Sequence, residues 1–128
     1  MASIRKEITL GAAPQAVWDA LADVGALHTR LAPGFVTDTR LEGDTRVVTF
    51  ANGLSARELI VDVDPAARRL AYAIIEGRPR FHSASFQVFD AAGGCRVVWL
   101  ADLLPAELAP AIAGMMDQGL LAIRAALE

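Results

Sequence analysis

Five polar residues of this sequence lie in segments of mostly alternating apolar residues and carry side chains that can do chemistry. They are Lys6, Thr37, Glu58, Tyr72 and His82. A carboxylate, a phenol and an imidazole can exchange protons with a substrate, and a lysine ammonium can pair with a carboxylate or an oxyanion. The same groups can hold a ligand through hydrogen bonds alone. Residue type therefore leaves catalysis and binding both open.

Structural roles are the alternative for three of these residues. Lys6 can be an edge residue whose stem packs on apolar surface while its ammonium group reaches water. His82 can be a hydrogen-bonded strand residue. Tyr72 can belong to the core, provided that its buried hydroxyl finds a partner.

Metal and nucleic-acid chemistry find little support in the composition. Cys95 is the only cysteine, which excludes an internal disulfide and a cysteine-cluster metal site. His28 and His82 show neither an HExxH pattern nor a paired spacing, so we predict no metal site and no cofactor. The net charge of −3 comes without a basic stripe, which argues against a nucleic-acid partner.

The length of 128 residues and the hydrophobic fraction of 54% predict one domain over residues 1–128. Residues 3–10 alternate as a strand with one buried face. Pro14 then starts a helix, and residues 26–33 form a second short helix. From Phe35 to Leu104, six more strands are separated by turn signals at 42–44, 51–53, 64–67, 76–79 and 91–94.

The last segment, residues 107–127, has the spacing of a long amphipathic helix. Its apolar face comprises Leu108, Ile112, Met115, Met116, Gly119, Leu120, Ile123 and Leu127. This helix is the element able to cover a seven-stranded antiparallel curved sheet, which predicts an α+β fold.

Membrane insertion and secretion are not expected. No apolar run reaches the roughly 20 residues of a membrane span. Charges at Arg5, Lys6 and Glu7 occupy the place where a secretion signal needs apolar residues. We therefore expect a cytoplasmic protein without a membrane span.

Three segments carry a family resemblance: APQAVWDALADVGAL at 13–27, RELIVDVDPAARRLAYAIIEG at 57–77 and CRVVWLADLLP at 95–105. In this order they resemble the START-like, birch-pollen-allergen-like helix-grip superfamily (SRPBCC), and within it the bacterial polyketide cyclase/dehydrase and lipid-transport proteins. The resemblance covers essentially the whole chain. It implies a helix-grip fold, in which the sheet wraps around the C-terminal helix and leaves a cavity for a small hydrophobic molecule.

Strand alternation and the resemblance together predict the ligand-binding residues. These are Lys6, Thr37, Phe50, Glu58, Tyr72, His82, Phe86, Trp99, Met115, Met116, Gly119 and Leu120. Gly119 is expected to leave room beneath the helix, with Met115, Met116 and Leu120 as an adaptable apolar wall. The alternative is that these residues fill a solid core, with Gly119 allowing close contact.

The second and fourth strands differ in how clearly their inward faces can be predicted. On the second strand, alternation predicts that Phe35, Thr37 and Leu41 point inward. On the fourth strand, alternation favours Leu59, Val61 and Val63, whereas the resemblance places Glu58 and Ile60 on the cavity side. A bulge near Ala56 would reconcile the two, and we adopt the register that the resemblance implies.

Two loops resemble the segments that border the pocket entrance in the plant hormone receptors of this superfamily. They are NGLSA at Asn52–Ala56 and EGRPRF at Glu76–Phe81. Ser55 stands where that gate carries a proline, and Thr37 stands where those receptors carry a carboxylate-binding lysine. The alternative is a pair of ordinary hairpin turns.

Three functions are compatible with these features. The first is a carrier or sensor of a small, largely apolar molecule. The second is an aromatase/cyclase- or dehydratase-type enzyme acting on a polyketide-like substrate, with Glu58, Tyr72 and His82 as the acid–base set and Lys6 as an oxyanion partner. No residue set here matches the catalytic pattern of characterised cyclases, so enzymatic activity stays open.

The third function is a protein-interaction module, which would present an exposed apolar patch. Leu100, Leu104 and Leu121 are the residues that would form it. The same residues could equally form the contact of a homodimer.

Overall fold

Seven antiparallel strands form one sheet in the computed structural model, which describes residues 2–128. The order across the sheet is β1-β7-β6-β5-β4-β3-β2, so the first and last strands are neighbours and the others form a meander. The strands are β1 (Ala2–Leu10), β2 (Val36–Glu42), β3 (Thr45–Phe50), β4 (Ser55–Asp64), β5 (Arg69–Glu76), β6 (Phe81–Ala91) and β7 (Gly94–Leu104).

Two helical elements follow β1. Helix α1 (Pro14–Ala22) has proline in its first turn, where the missing N–H costs no hydrogen bond, and it buries Val17, Trp18 and Leu21. The second predicted helix is a single wide π-helical turn at Leu27–Leu31, closed by the Ala32 N–H donating to the Leu27 carbonyl at 2.9 Å.

The long C-terminal helix confirms the sequence prediction. A 3₁₀ turn at Ala106–Leu108 leads into α2 (Ala109–Leu127). Its inner face buries Met116, Gly119, Leu120 and Ile123, and the three larger side chains belong to the main core cluster. Within residues 2–128 no helix combines the length and the apolar character needed to cross a membrane.

Glycine residues at three of the predicted turns adopt positive φ, which explains why the turn signals located the strands correctly. Gly43, Gly53 and Gly93 have φ of 62°, 86° and 76°. These values lie in the left-handed region that glycine occupies without steric cost. The predicted α+β meander is therefore the observed fold.

A bulge in β2 makes the prediction for Thr37 wrong. Val36 pairs with Phe50 and Asp38 pairs with Thr49, which leaves Thr37 as an extra residue. One extra residue reverses the alternation beyond it. Thr37 is therefore exposed, whereas Leu41 lies opposite the inward-facing Arg46 and keeps its predicted face. Leu41 is nevertheless 53% exposed, because β2 is the edge strand of the sheet.

A second bulge settles the register of β4. Val61 is extra because Ile60 and Asp62 pair with consecutive residues of β5. Val61 is 60% exposed, whereas the Glu58 side chain is buried. The register implied by the resemblance is correct, and local alternation fails because it counts through the bulge.

Candidate functional site

A cavity of about 140 Å³ lies between the inner face of the sheet and α2. The α2 side of its wall is formed by Ile112, Met115, Met116, Gly119 and Ile123. Most of the wall surface is apolar. An apolar cavity of about 150 Å³ is known to bind benzene, so the volume of this cavity matches one aromatic ring.

The cavity reaches solvent between two loops. Leu54 and Ser55 contribute from the β3–β4 connection, and Arg78 and Pro79 contribute from the β5–β6 connection. Leu54 is 41% exposed, which marks this side as the mouth. Both loops singled out in the sequence thus provide lining residues.

Aromatic rings form the sheet side of the wall. The rings of Phe86 and Trp99 are stacked with centroids 4.3 Å apart, and Tyr72 is stacked on Phe86 at 6.3 Å. Phe35 and Phe50 meet edge to face at 5.4 Å. Such pairs hold flat apolar surfaces in place, which suits contact with another planar ring.

Gly119 has a different role from the one expected. A Cβ at this position would lie 3.0 Å from Trp99 Cζ3 and 3.2 Å from Phe35 Cε2. The absent side chain therefore lets two aromatic rings approach α2, and the space directly beneath Gly119 is occupied. The cavity extends beside these rings.

A buried ion pair forms part of the wall. Arg46 on β3 and Glu58 on β4 are directly opposite in the strand register, and Arg46 Nε donates to Glu58 Oε1 at 2.8 Å. Their side chains are 3% and 7% exposed. Arg46 also donates to the Val24 carbonyl and lies over the Tyr72 ring. The pair satisfies the charge of Glu58 within the protein.

Arg46 was absent from the predicted site although the sequence contained the signal. It lies two and four residues before Val48 and Phe50, which places all three on one face of a strand. The expectation that arginine is exposed hides this pattern. Glu58 pairs with Arg46, and the carboxylate that Lys6 pairs with is that of Asp117.

The Tyr72 hydroxyl accepts a hydrogen bond from the Trp99 indole N–H at 3.0 Å. Burial raises the pKa of Tyr72 above its ordinary value, and the negative charge of Glu58 raises it further. The phenol therefore stays protonated at neutral pH. Its oxygen accepts from Trp99, and its own proton remains available for donation, so it does not act as a base.

His82 is held on β6 by the Ile74 backbone N–H, which donates to its Nδ1 at 3.4 Å. Burial lowers the pKa of His82 to about 4. The imidazole is therefore neutral at pH 7, and because Nδ1 accepts, Nε2 carries the proton. No group of three or more histidine, cysteine or acidic side chains placed to share a metal ion occurs among the described residues.

Nine of the twelve predicted residues line the cavity: Phe50, Glu58, Tyr72, His82, Phe86, Trp99, Met115, Met116 and Gly119. The other three lie elsewhere. Lys6 pairs with Asp117 at 3.1 Å on the surface between β1 and α2. Thr37 is on the exposed bulge and donates to the Thr49 carbonyl. Leu120 is buried in the core outside the cavity wall.

A curved antiparallel sheet that grips a C-terminal helix, with an apolar cavity between them, defines a protein of the helix-grip class. The chain belongs to the polyketide cyclase/dehydrase and lipid transport family, whose sequence model matches residues 1–128. No curated protein matches the chain.

Solved structures of similar fold include three that span nearly all of this chain. An uncharacterised protein from Bacillus thuringiensis has a TM-score of 0.87 at 18% identity, with 98% of each chain covered. The di-domain ARO/CYC BexL from the BE-7585A biosynthetic pathway has a TM-score of 0.83 at 20% identity, covering 98% of this chain and 46% of BexL. Norcoclaurine synthase from Thalictrum flavum, in complex with dopamine and hydroxybenzaldehyde, has a TM-score of 0.70 at 18% identity, covering 97% and 84%. At these identities the likeness concerns the fold.

Proposed function

We propose that this protein binds a small, largely apolar molecule in the cavity between the sheet and α2, as a carrier or a sensor. The observation that carries the proposal is the cavity itself, which is mostly apolar and opens between two loops. Removing apolar surface from water contributes roughly 25 cal/mol per Å², so a molecule of matching size gains free energy without any reaction. The family description, which includes lipid transport, supports ligand handling in general.

The state of the polar residues favours binding over aromatase/cyclase-type catalysis. General acid–base catalysis works best when the catalytic pKa lies near the working pH. Burial moves the pKa of Tyr72 upward and that of His82 downward to about 4, away from neutrality in both cases. Glu58 is engaged by Arg46. The enzyme hypothesis, for which BexL provides the analogy, lacks a residue poised to move a proton.

Titration with α-methylstyrene by calorimetry tests the proposal, because this probe is a single ring with an apolar substituent. Ala101 is buried and lines the cavity, whereas Ala73 lies on the outer face of the sheet. Ala101→Leu should weaken binding by about tenfold or more, since roughly 60 Å² of lost apolar contact corresponds to that factor. Ala73→Leu is the matched control and should bind like the wild type.

Two results would refute the proposal. One is the absence of saturable binding to the folded wild-type protein. The other is equal affinity in the wild type and in a folded Ala101→Leu variant, with folding checked by the cooperative thermal transition.

A further inference from the structure

Two hydrogen-bond donors of the cavity wall have no acceptor among residues 2–128. The Tyr72 oxygen accepts from Trp99, so the hydroxyl proton is not used in that bond. The His82 Nδ1 accepts from Ile74, so the proton on Nε2 is likewise unused. Both residues line the cavity, and their rings are 5.8 Å apart between centroids. A ligand acceptor atom near both rings could therefore accept hydrogen bonds from the Tyr72 hydroxyl and the His82 Nε2–H.

The inner wall presents these donors without net charge. Arg46 and Glu58 are the charged residues of the buried wall, and they neutralise each other. The third charged lining residue, Arg78, is exposed at the mouth. An ion that enters the inner cavity would lose its hydration and find no uncompensated opposite charge, which is costly.

We propose that the ligand is an uncharged molecule with one planar ring and a hydrogen-bond acceptor, such as a carbonyl oxygen. The Tyr72 hydroxyl and the His82 Nε2–H donate hydrogen bonds to this acceptor. This inference rests on the proposed function and names the chemical class of its ligand. The stacked rings of Phe86 and Trp99 accept the planar part, and the cavity volume of about 140 Å³ matches one ring.

Three probes with equal numbers of heavy atoms separate the possibilities: acetophenone, α-methylstyrene and benzoate. They share the phenyl ring and differ in carrying a neutral acceptor, no acceptor or a negative charge. We expect acetophenone to bind roughly threefold to tenfold more tightly than α-methylstyrene, the factor of a net neutral hydrogen bond. Benzoate should bind at least about tenfold more weakly than acetophenone because its charge must be desolvated.

Variants then assign the donors. Tyr72→Phe should remove most of the preference for acetophenone while changing the affinity for α-methylstyrene by less than about twofold. His82→Leu should reduce the same preference, and His82→Gln should retain part of it because its amide can donate. Thr39→Val is the control, since it deletes another buried hydroxyl that lies outside the cavity and should leave the preference intact.

The outcomes distinguish this inference from the proposed function. Equal affinity for acetophenone and α-methylstyrene overturns the inference and leaves the proposed function standing. Tightest binding of benzoate overturns it in favour of an anion site. If the preference for acetophenone survives in both Tyr72→Phe and His82→Leu, these two residues are not the donors to the ligand. Failure of all three probes to bind refutes the proposed function itself.

Discussion

Arg46 and Glu58 face each other directly across β3 and β4, with 2.8 Å between Nε and Oε1 and both side chains buried. The pair places two charges in the cavity wall and cancels them there. This relationship determines the chemical character of the wall, because the same Glu58 without Arg46 would be a candidate acid or base. With Arg46 it is a structural element beside the ligand space.

Removing one partner of this pair should be more damaging than removing both. Glu58→Leu and Arg46→Leu should each lower the free energy of unfolding by about 3–5 kcal/mol, because each leaves an uncompensated buried charge. The double variant should lose less than the larger single loss. Urea unfolding of the four proteins measures the cycle.

The exposed pair of Arg5 and Glu7 is the control for that cycle. Their side chains are 56% and 43% exposed, and exposed pairs contribute about 0–1 kcal/mol. Glu7→Gln should therefore leave the unfolding midpoint nearly unchanged. Additive losses in the Arg46 and Glu58 double variant would contradict the account of the buried pair.

The two glycines of α2 should respond oppositely to alanine. At Gly114 an added Cβ meets no atom within 4 Å, so Gly114→Ala should stabilise the protein by about 0.5–1 kcal/mol through helix propensity. At Gly119 the Cβ would press on Trp99 and Phe35, and overpacking costs about 1–3 kcal/mol. Thermal unfolding of both variants gives the comparison.

Trp99 fluorescence provides a second measurement on the same pair. Gly119→Ala should shift the emission because the indole ring must move, whereas Gly114→Ala should leave it unchanged. Equal stabilisation by the two alanines, with no spectral change, would show that the rings do not depend on the missing side chain.

Much of the fold can be predicted from the sequence because local signals agree with each other. Glycines such as Gly43 and Gly93 mark turns that require positive φ, and the apolar spacing of residues 107–127 requires a helix with one buried face. Each signal acts within a few residues. The element order and the covering of the sheet by α2 were therefore predictable.

The predicted side-chain directions failed where one residue interrupts a strand. The bulges at Thr37 and Val61 have no reliable residue signature, yet each reverses the inward face of the strand residues beyond it. The prediction for Lys6 failed for another reason: its partner, Asp117, is distant in sequence, and only the packing of α2 on β1 brings the two together.

Lys6 should accordingly have no part in ligand binding. Its ammonium lies 3.1 Å from the Asp117 carboxylate, outside the cavity wall. Lys6→Met should change the affinity for α-methylstyrene by less than about twofold and the stability by less than about 1 kcal/mol, as for other exposed pairs. Calorimetric titration of Lys6→Met and Ala101→Leu with α-methylstyrene compares the two affinities. A tenfold loss of affinity in Lys6→Met would show that Lys6 takes part in ligand binding.

His82 should make the stability of the protein depend on pH in a defined direction. Its pKa is about 4 in the folded protein against an ordinary value of 6.5, so the unfolded chain binds the proton more tightly. The stabilisation is fully present above pH 6.5 and is lost as the pH falls toward 4. By linkage the loss is about 3 kcal/mol.

The measurement is the difference in unfolding free energy between the wild type and His82→Gln at several pH values. The carboxylates titrate in both proteins, so their contribution cancels in this difference, which should shrink by about 3 kcal/mol from pH 7 to pH 4. Ser85→Ala, a non-titrating change at a buried position of the same strand, is the control and should keep the wild-type slope because His82 is still present. A pH-independent difference between the wild type and His82→Gln would mean that the folded protein tolerates a charged imidazole beside the cavity, contrary to the lowered pKa of His82.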